Sequence, residues 1–231
     1  MQKTNIQCLG FIMDGNRRWA KAQNITTVEG HRKGAEVFKK IIHQVSDLSI
    51  PHAIFYSFSS ENWNRSEEEV SGLLNLFSEK LAEIISESNN DENEEKKVRL
   101  RFVGDLDKFS SEIKEKIAQV ENYTKQATGT TIWVALSYGG RAELVSAVNE
   151  AIEKGERVSE EVFAKMLWTS GMPDPDLIIR TGGQQRLSNF LPWQSTYSEL
   201  KFIDCYWPDF TSEHLQELVE EFSERQRNFG K

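Results

Sequence analysis

The sequence holds two cysteines, five prolines and no basic surplus, and each shortage narrows what the chain can be. Cys8 and Cys205 form no CxxC pair, which excludes a disulfide-built scaffold and a cysteine-based zinc site and points to a reducing, cytoplasmic setting. Lys and Arg total 28 against 36 Asp and Glu, a formal charge of −8. Such a chain lacks the broad basic surface that phosphate-backbone binding needs, so nucleic acid is not an expected partner. Any anionic ligand must be held by a local cluster instead. No apolar run approaches the roughly 20 residues of a membrane span, and no charged-then-apolar signal segment stands at the amino terminus. Neither a Pro/Gly/Ser-rich linker nor a fixed-period repeat divides the 231 residues, so one domain over 1–231 is expected.

What the sequence does have is alternation. Short apolar runs at Cys8–Met13, Ala53–Phe58, Val98–Val103, Thr131–Leu136 and Asp176–Ile179 read as strands. Between them run segments of helical period. Val37, Phe38, Ile41, Ile42, Val45 and Leu48 mark one apolar face, and Val70, Leu73, Leu74, Phe77, Leu81, Ile84 and Ile85 mark a second. Three more are centred on Ile113–Val120, on Leu144, Val145, Val148 and Ile152, and on Leu215–Phe222. The pattern predicts an α/β fold: a central, mostly parallel sheet flanked by helices. The polar run Ser86–Lys97 reads as a solvated connection.

The chemistry-bearing residues gather where strands end. Arg180 closes the apolar run DLII and is followed by Gly182, Gly183, Arg186, Leu187 and Ser188. Open α/β sheets place ligands at the carboxyl ends of their strands. Two guanidinium forks and a hydroxyl there form a candidate diphosphate clamp, the alternative being a surface loop with weak ion pairs. Asp14 ends the first run, with Gly15, Asn16, Arg17, Arg18 and Trp19 entering a helix. Backbone N–H groups at such a turn cradle phosphate, and Asp14 beside them makes sense if a divalent cation lies between; the alternative is that Asp14 caps the helix. Glu199 offers a second hard oxygen ligand, and magnesium suits so sparse a set. After the second run come Ser59, Ser60, Glu61, Asn62, Trp63 and Arg65, with Ser66 and Glu69 spaced as a helix-capping box. A lone tryptophan such as Trp63 suits an anchor, and His31 is read equally as a phosphate partner or a surface histidine.

Together these segments resemble the cis-prenyltransferase family. MDGNRRWA, Gly30-His31, FSSENWNR, SYGGR, RTGG, RLSNFLPWQ and WPDF occur in family order over nearly the whole chain. The resemblance implies a homodimeric, Mg²⁺-dependent α/β enzyme with an apolar tunnel. It implies condensation of an allylic diphosphate, usually farnesyl diphosphate, with successive isopentenyl diphosphates to a long cis-polyprenyl diphosphate such as the undecaprenyl carrier used in cell-wall synthesis. Product delivery implies transient peripheral contact with a membrane. By the same resemblance Asp14 is the essential carboxylate and metal ligand, with Glu199 the second ligand. Gly15, Asn16, Arg17, Arg18 and Trp19 hold the allylic diphosphate near His31 and Thr27. Arg180, Arg186, Leu187 and Ser188 hold isopentenyl diphosphate, Asn62 relays the proton, and Ser59, Ser60, Glu61, Trp63 and Arg65 belong to a mobile loop between the sites. The trans-acting enzymes carry DDxxD motifs, and this chain has no adjacent aspartate pair. Arg17 stands where the family often has glycine, Thr27 where an arginine is common, and Asn228-Phe229-Gly230 where an Arg-x-Gly ending often supports the partner's site. Ser57, Thr130, Ile132 and Trp133 are candidates for limiting the tunnel, which leaves a short- or medium-chain synthase open. A noncatalytic partner subunit is the other alternative.

Overall fold

The computed structural model describes residues 5–90 and 98–224. Among the described residues six segments become strands: β1 (Cys8–Ile12), β2 (His52–Ser59), β3 (Val98–Val103), β4 (Thr130–Tyr138), β5 (Leu177–Arg180) and β6 (Glu199–Phe202). They form one sheet in the order β3-β4-β2-β1-β5-β6, every neighbouring pair parallel. The accompanying helices are α1 (Asn16–Ala22), α2 (Thr27–Asp47), α3 (Glu67–Asn90), α4 (Ser111–Thr124), α5 (Gly140–Lys154), α6 (Glu160–Met166) and α7 (Ser212–Glu224). Central strands are buried on both faces, so they read as unbroken apolar runs.

Because side chains alternate across a strand, the sheet feeds two cores. Leu9, Phe11, Phe55, Val134 and Ile179 join α2, α4 and α7 in the larger one, where Phe11 stacks on Phe55 at 4.6 Å. Cys8, Ile54, Trp133, Tyr138 and Ile178 meet Phe190 and Leu191 in the smaller one. Each large side chain so buried contributes about 1.5–3 kcal/mol.

Local signals set the helix starts. Thr26 and Glu29 form a reciprocal capping box at α2. Ser66 accepts from the Glu69 N–H at 3.4 Å, but the Glu69 carboxylate turns to Arg65 at 2.8 Å, so only half of the expected box forms.

Several expectations need correction. β6 has only four residues, none of them buried, so no continuous apolar run announces it as a strand. Helix α3 continues through Asn90, into the run read as a connection, while 91–97 and Asn228-Phe229-Gly230 lie outside the described residues. The expected α5 face points outward: Val145, Val148 and Ile152 are 59%, 46% and 70% exposed, whereas Glu143, Ala147 and Ala151 are buried. Spacing of four residues puts Glu143, Ala147 and Ala151 on one side, and the small residues Gly140, Ala147 and Ala151 let the helix sit close to the layer beneath. Of the four candidates for limiting a tunnel, only Ser57 lines the cavity described below; Trp133 packs in the smaller core on the other face.

Candidate active site

The chain adds β2, β3 and β4 on one side of β1 and then crosses to add β5 and β6 on the other. The switch point therefore lies between β1 and β5, where an open parallel sheet leaves a crevice beyond its carboxyl edge. Asp14 follows β1, and Arg180 ends β5. Their side chains meet: Arg180 Nη2 donates to Asp14 Oδ2 at 2.8 Å, and Arg18 Nη2 donates to Asp14 Oδ1 at 3.0 Å. One carboxylate thus bridges arginines from the two loops proposed to hold anions.

Gly15 begins α1 at φ 116°, and a β-carbon there would stand 2.7 Å from Tyr206 Cδ1, so both backbone and space require glycine. Asp14 is not the helix cap; its side chain is committed to the two arginines. Arg18 also donates to the Gly182 carbonyl at 2.8 Å and lies over the Tyr206 ring. A β-carbon on Gly182 would come within 2.5 Å of that guanidinium, so the glycine lets the two loops close on each other.

Arg180 is 4% exposed, and burying a charge so deeply demands partners. Its Nη1 donates to Ser188 Oγ at 2.8 Å and to the Arg186 carbonyl, while its Nε has no partner. Asn16 Oδ1 and His31 Nε2 are likewise buried without a partner. All three residues line the same cavity. Burial first, then the nearby Arg65 and Arg17, lowers the His31 pKa to about 4, so the imidazole is neutral near pH 7.

The cavity holds about 1070 Å³. Its mouth carries Asp14, Asn16, His31, Ser59, Asn62, Arg65, Arg180, Arg186 and Ser188, and its body runs between α2 and α3 over Phe38, Leu73, Leu74, Phe77, Leu100 and Leu136. An apolar pocket with a polar rim accommodates an amphiphile with a charged head and an apolar tail.

Other expected residues sit beside the mouth rather than in its wall. Arg17 Nε lies 3.5 Å from Glu69, and Trp19 Nε1 donates to Asp209 at 2.8 Å. Thr27 opens α2 next to its cap, and Leu187 packs against the smaller core. Trp63 anchors its loop by donating to Ser137 Oγ at 2.9 Å and packing edge-on against Phe58 and Phe109. Ser60 donates to Glu61 at 3.2 Å, in the 3₁₀ turn Ser60–Asn64. Asn62 Oδ1 accepts from the Ser59 N–H at 3.1 Å, fixing the side chain at the rim.

Glu199 is displaced from the place expected for it. It pairs with Leu177 at the start of β5, three residues before Arg180, so it lies about 10 Å down the strand at ~3.3 Å per residue. Asp14 lies beyond the opposite edge, and within one chain the two carboxylates do not share an ion. Both are hard oxygen donors, which is all that residue type conveys; the register of the short strand β6 fixes Glu199 at the amino edge.

Three supporting residues went unnoticed in the sequence. The Tyr56 hydroxyl lies 3.2 Å from the Tyr138 carbonyl and 3.3 Å from that of Ser188. Buried Glu143 accepts from Tyr138 at 2.5 Å, from the Thr169 hydroxyl at 2.8 Å and from Gln194 at 3.0 Å. Asn189 follows the clamp serine and bonds to Glu61 and to the start of α5. The one available hint was an acid in register with the alanine stripe of α5.

Comparison with known proteins identifies the family. The Prenyltransf family model, described as "Putative undecaprenyl diphosphate synthase", matches residues 12–230. A Micrococcus luteus ditrans,polycis-undecaprenyl-diphosphate synthase, (2E,6E)-farnesyl-diphosphate specific, is 41% identical over 96% of this chain and 90% of its own. An isoprenyl transferase of Rickettsia sibirica is 42% identical over 99% of each chain. Lavandulyl diphosphate synthase from Lavandula x intermedia, solved in complex with dimethylallyl diphosphate, superposes with a TM-score of 0.90 at 31% identity over 98% of both chains. With two arginine loops meeting over one carboxylate at the mouth of an apolar cavity, and with this likeness along its whole length, the chain belongs to the undecaprenyl diphosphate synthase family and is a cis-prenyltransferase.

Proposed function

We propose that the enzyme extends an allylic diphosphate, farnesyl diphosphate as primer, with successive isopentenyl diphosphates in a Mg²⁺-dependent reaction. The expected product is a long cis-polyprenyl diphosphate of the undecaprenyl type, serving as lipid-carrier precursor for cell-wall glycans. The Arg18–Asp14–Arg180 bridge at the mouth of the cavity carries this reading. Two diphosphates brought side by side need cationic groups from two loops and a means of screening their mutual repulsion.

The donor set fits magnesium. Asp14 is a partly exposed hard-oxygen ligand at the mouth, and the ion commonly takes one or two carboxylates with substrate phosphates and water. Among the described residues no cluster of three or more His, Cys, Asp or Glu would cage a metal, so substrate oxygens and water would complete the ion's shell. When bound, Mg²⁺ supplies charge neutralisation for the departing diphosphate.

The chain's own residues divide the remaining work. The start of α1, Arg18 and His31 receive the allylic diphosphate. A neutral His31 offers a hydrogen bond without a second buried cation beside Arg65. Arg180, Arg186 and Ser188, which line the mouth, receive isopentenyl diphosphate. As the allylic C–O bond breaks, its electron pair leaves with the diphosphate, whose growing charge the arginines and backbone N–H groups stabilise. The isopentenyl alkene then bonds to the electron-poor carbon, which leaves the positive charge on the tertiary carbon of the isopentenyl unit, and loss of a proton from the carbon next to it forms the new double bond. Asn62, a weak base, relays that proton to diphosphate or water. The cavity body takes the lengthening tail and excludes water from the cation.

The outward stripe Val145, Val148 and Ile152 on α5, with Tyr197 at 80% and Leu200 at 41% exposure, favours burial against a second copy of the chain. Val148→Lys is expected to shift the sedimenting species from dimer to monomer; a wild-type protein already monomeric at micromolar concentration removes this part of the reading. Among the described residues no helix is long and apolar enough to cross a membrane. The reading places the enzyme in the cytoplasm, with product delivered by peripheral contact with the bilayer.

The deciding assay incubates the protein with farnesyl diphosphate, labelled isopentenyl diphosphate and Mg²⁺. Long products with new cis double bonds, and none after chelation, are expected. Products that stop after one or two additions would replace the long-chain assignment by a short-chain one.

A further inference from the structure

The clamp for isopentenyl diphosphate and the loop carrying Asn62 are separate in sequence, yet one side chain joins them. Asn189 Nδ2 donates to Glu61 Oε1 at 2.9 Å, and Glu61 immediately precedes Asn62. On its other side Asn189 Oδ1 accepts from the Arg141 N–H at 2.9 Å, while its backbone carbonyl accepts from the Gly140 N–H at 2.8 Å. Asn189 therefore bonds three segments at once: the loop of Ser188, the 3₁₀ turn of Asn62 and the amino end of α5.

The surrounding backbone is arranged to permit this. Ser188, Asn189 and Leu191 have φ of 49°, 65° and 51°. Non-glycine residues in that region cost energy, asparagine least among them, and such clusters persist where the surroundings over-determine them. Gly139 removes the last obstacle: a β-carbon there would stand 2.4 Å from Ser60 Oγ and 2.9 Å from Asn189 Nδ2. Burial opposes ionisation of Glu61, but its hydrogen bonds, led by that from Asn189, outweigh burial and hold the carboxyl below its usual range. An ionised Glu61 makes the tie to Asn189 charge-assisted and so stronger than a neutral pair.

We propose that Asn189 is a positioning residue for the condensation, fixing the distance and angle between the isopentenyl diphosphate clamp and Asn62. This rests on the function proposed above. The clamp's own bonds, from Arg180 to Ser188 and to the Arg186 carbonyl, do not involve the Asn189 side chain, so head-group affinity and proton-relay geometry are separable. Loosening the tie leaves the diphosphate bound and the relay misplaced.

The test is steady-state kinetics on the full-length protein. Asn189→Gly keeps the left-handed backbone and removes only the side chain. Its kcat is expected to fall about tenfold, with KM for isopentenyl diphosphate within about twofold of wild type. Asn189→Asp sets two carboxylates together and is expected to lower kcat by about tenfold, while in a Glu61→Gln background the new amide donates to the introduced carboxylate and most of that loss disappears. This cycle decides the matter even if the glycine variant fails to fold. Unchanged kcat in Asn189→Gly, a raised KM with kcat intact, or equal losses from Asn189→Asp in both backgrounds would overturn the proposal. A wild-type protein that makes no product defeats the functional reading instead, so the two failures are distinguishable.

Discussion

The two faces of the one sheet are built to opposite ends. On the face covered by α2, α3 and α4, strand side chains stop short of the helices and leave about 1070 Å³ between them. On the other face Tyr138, Phe190 and Leu191 pack with 0% exposure around a carboxylate, Glu143, whose two oxygens are both bonded to protein donors. One face forgoes dispersion contacts and keeps a cavity; the other is filled, and Phe190 and Leu191 within it follow Ser188 and Asn189 directly in the chain.

The largest separation between the faces is expected at the mouth. Asp14→Asn keeps a hydrogen-bonding side chain but removes the charge that meets both arginines. Product formation should fall about 10³-fold, since losing the carboxylate proposed to hold Mg²⁺ removes the charge neutralisation of the departing diphosphate, a contribution of that order in turnover. The far-UV circular dichroism should stay that of the wild type. Turnover within tenfold of wild type would show that the mouth does not depend on that carboxylate.

Equal truncations on the two faces sharpen the contrast in stability. Phe190, wholly buried and stacked on Tyr56 at 4.8 Å, belongs to the filled face. Phe190→Ala should cost about 3–5 kcal/mol, the range for creating a new cavity at an aromatic site. Phe77 already borders open space, so Phe77→Ala enlarges a cavity rather than creating one and should cost less, about 1–2 kcal/mol. Urea unfolding of both variants measures the difference. Equal losses would mean that the cavity face is packed as tightly as the other.

How far the sequence revealed this follows from what each element needs. β1 to β5 are apolar enough to be visible as runs, whereas β6, with its exposed edge, has no such signature. Asp14, Arg180, Arg186 and Ser188 were legible because strand ends are where a parallel sheet exposes chemistry. Asn189 and Glu143 were not, since each acts through partners between 5 and 128 residues away, distances no local pattern encodes. Val145, Val148 and Ile152 misled for a related reason. Helical period identifies an apolar stripe but not what covers it, and here the stripe of small residues faces inward. Glu199 shows the same limit for charge: residue type suggested a ligand, and only strand register revealed which edge it occupies.

The smallest effect is electrostatic and confined to the open face. The His31 pKa is lowered to about 4 in the folded chain, against about 6.5 when exposed in the unfolded one. The folded state therefore binds fewer protons than the unfolded state between those values, so stability held above pH 6.5 is lost as pH falls toward 4. By linkage the loss attributable to His31 is about 2 kcal/mol between roughly pH 7 and pH 4.5. His31→Gln removes the titrating group, so the wild type should lose that much more than the variant over the same interval in denaturant titrations. The filled face provides the control: Tyr138 is held neutral by burial and by the neighbouring Glu143, which raise its pKa, and it does not change charge in this range. Phe190→Ala, which removes no ionisable or hydrogen-bonding group, should leave the pH dependence of stability parallel to that of the wild type, even where it lowers stability at every pH. Parallel curves for His31→Gln as well would place His31 in contact with solvent and remove the distinction between the faces at acid pH.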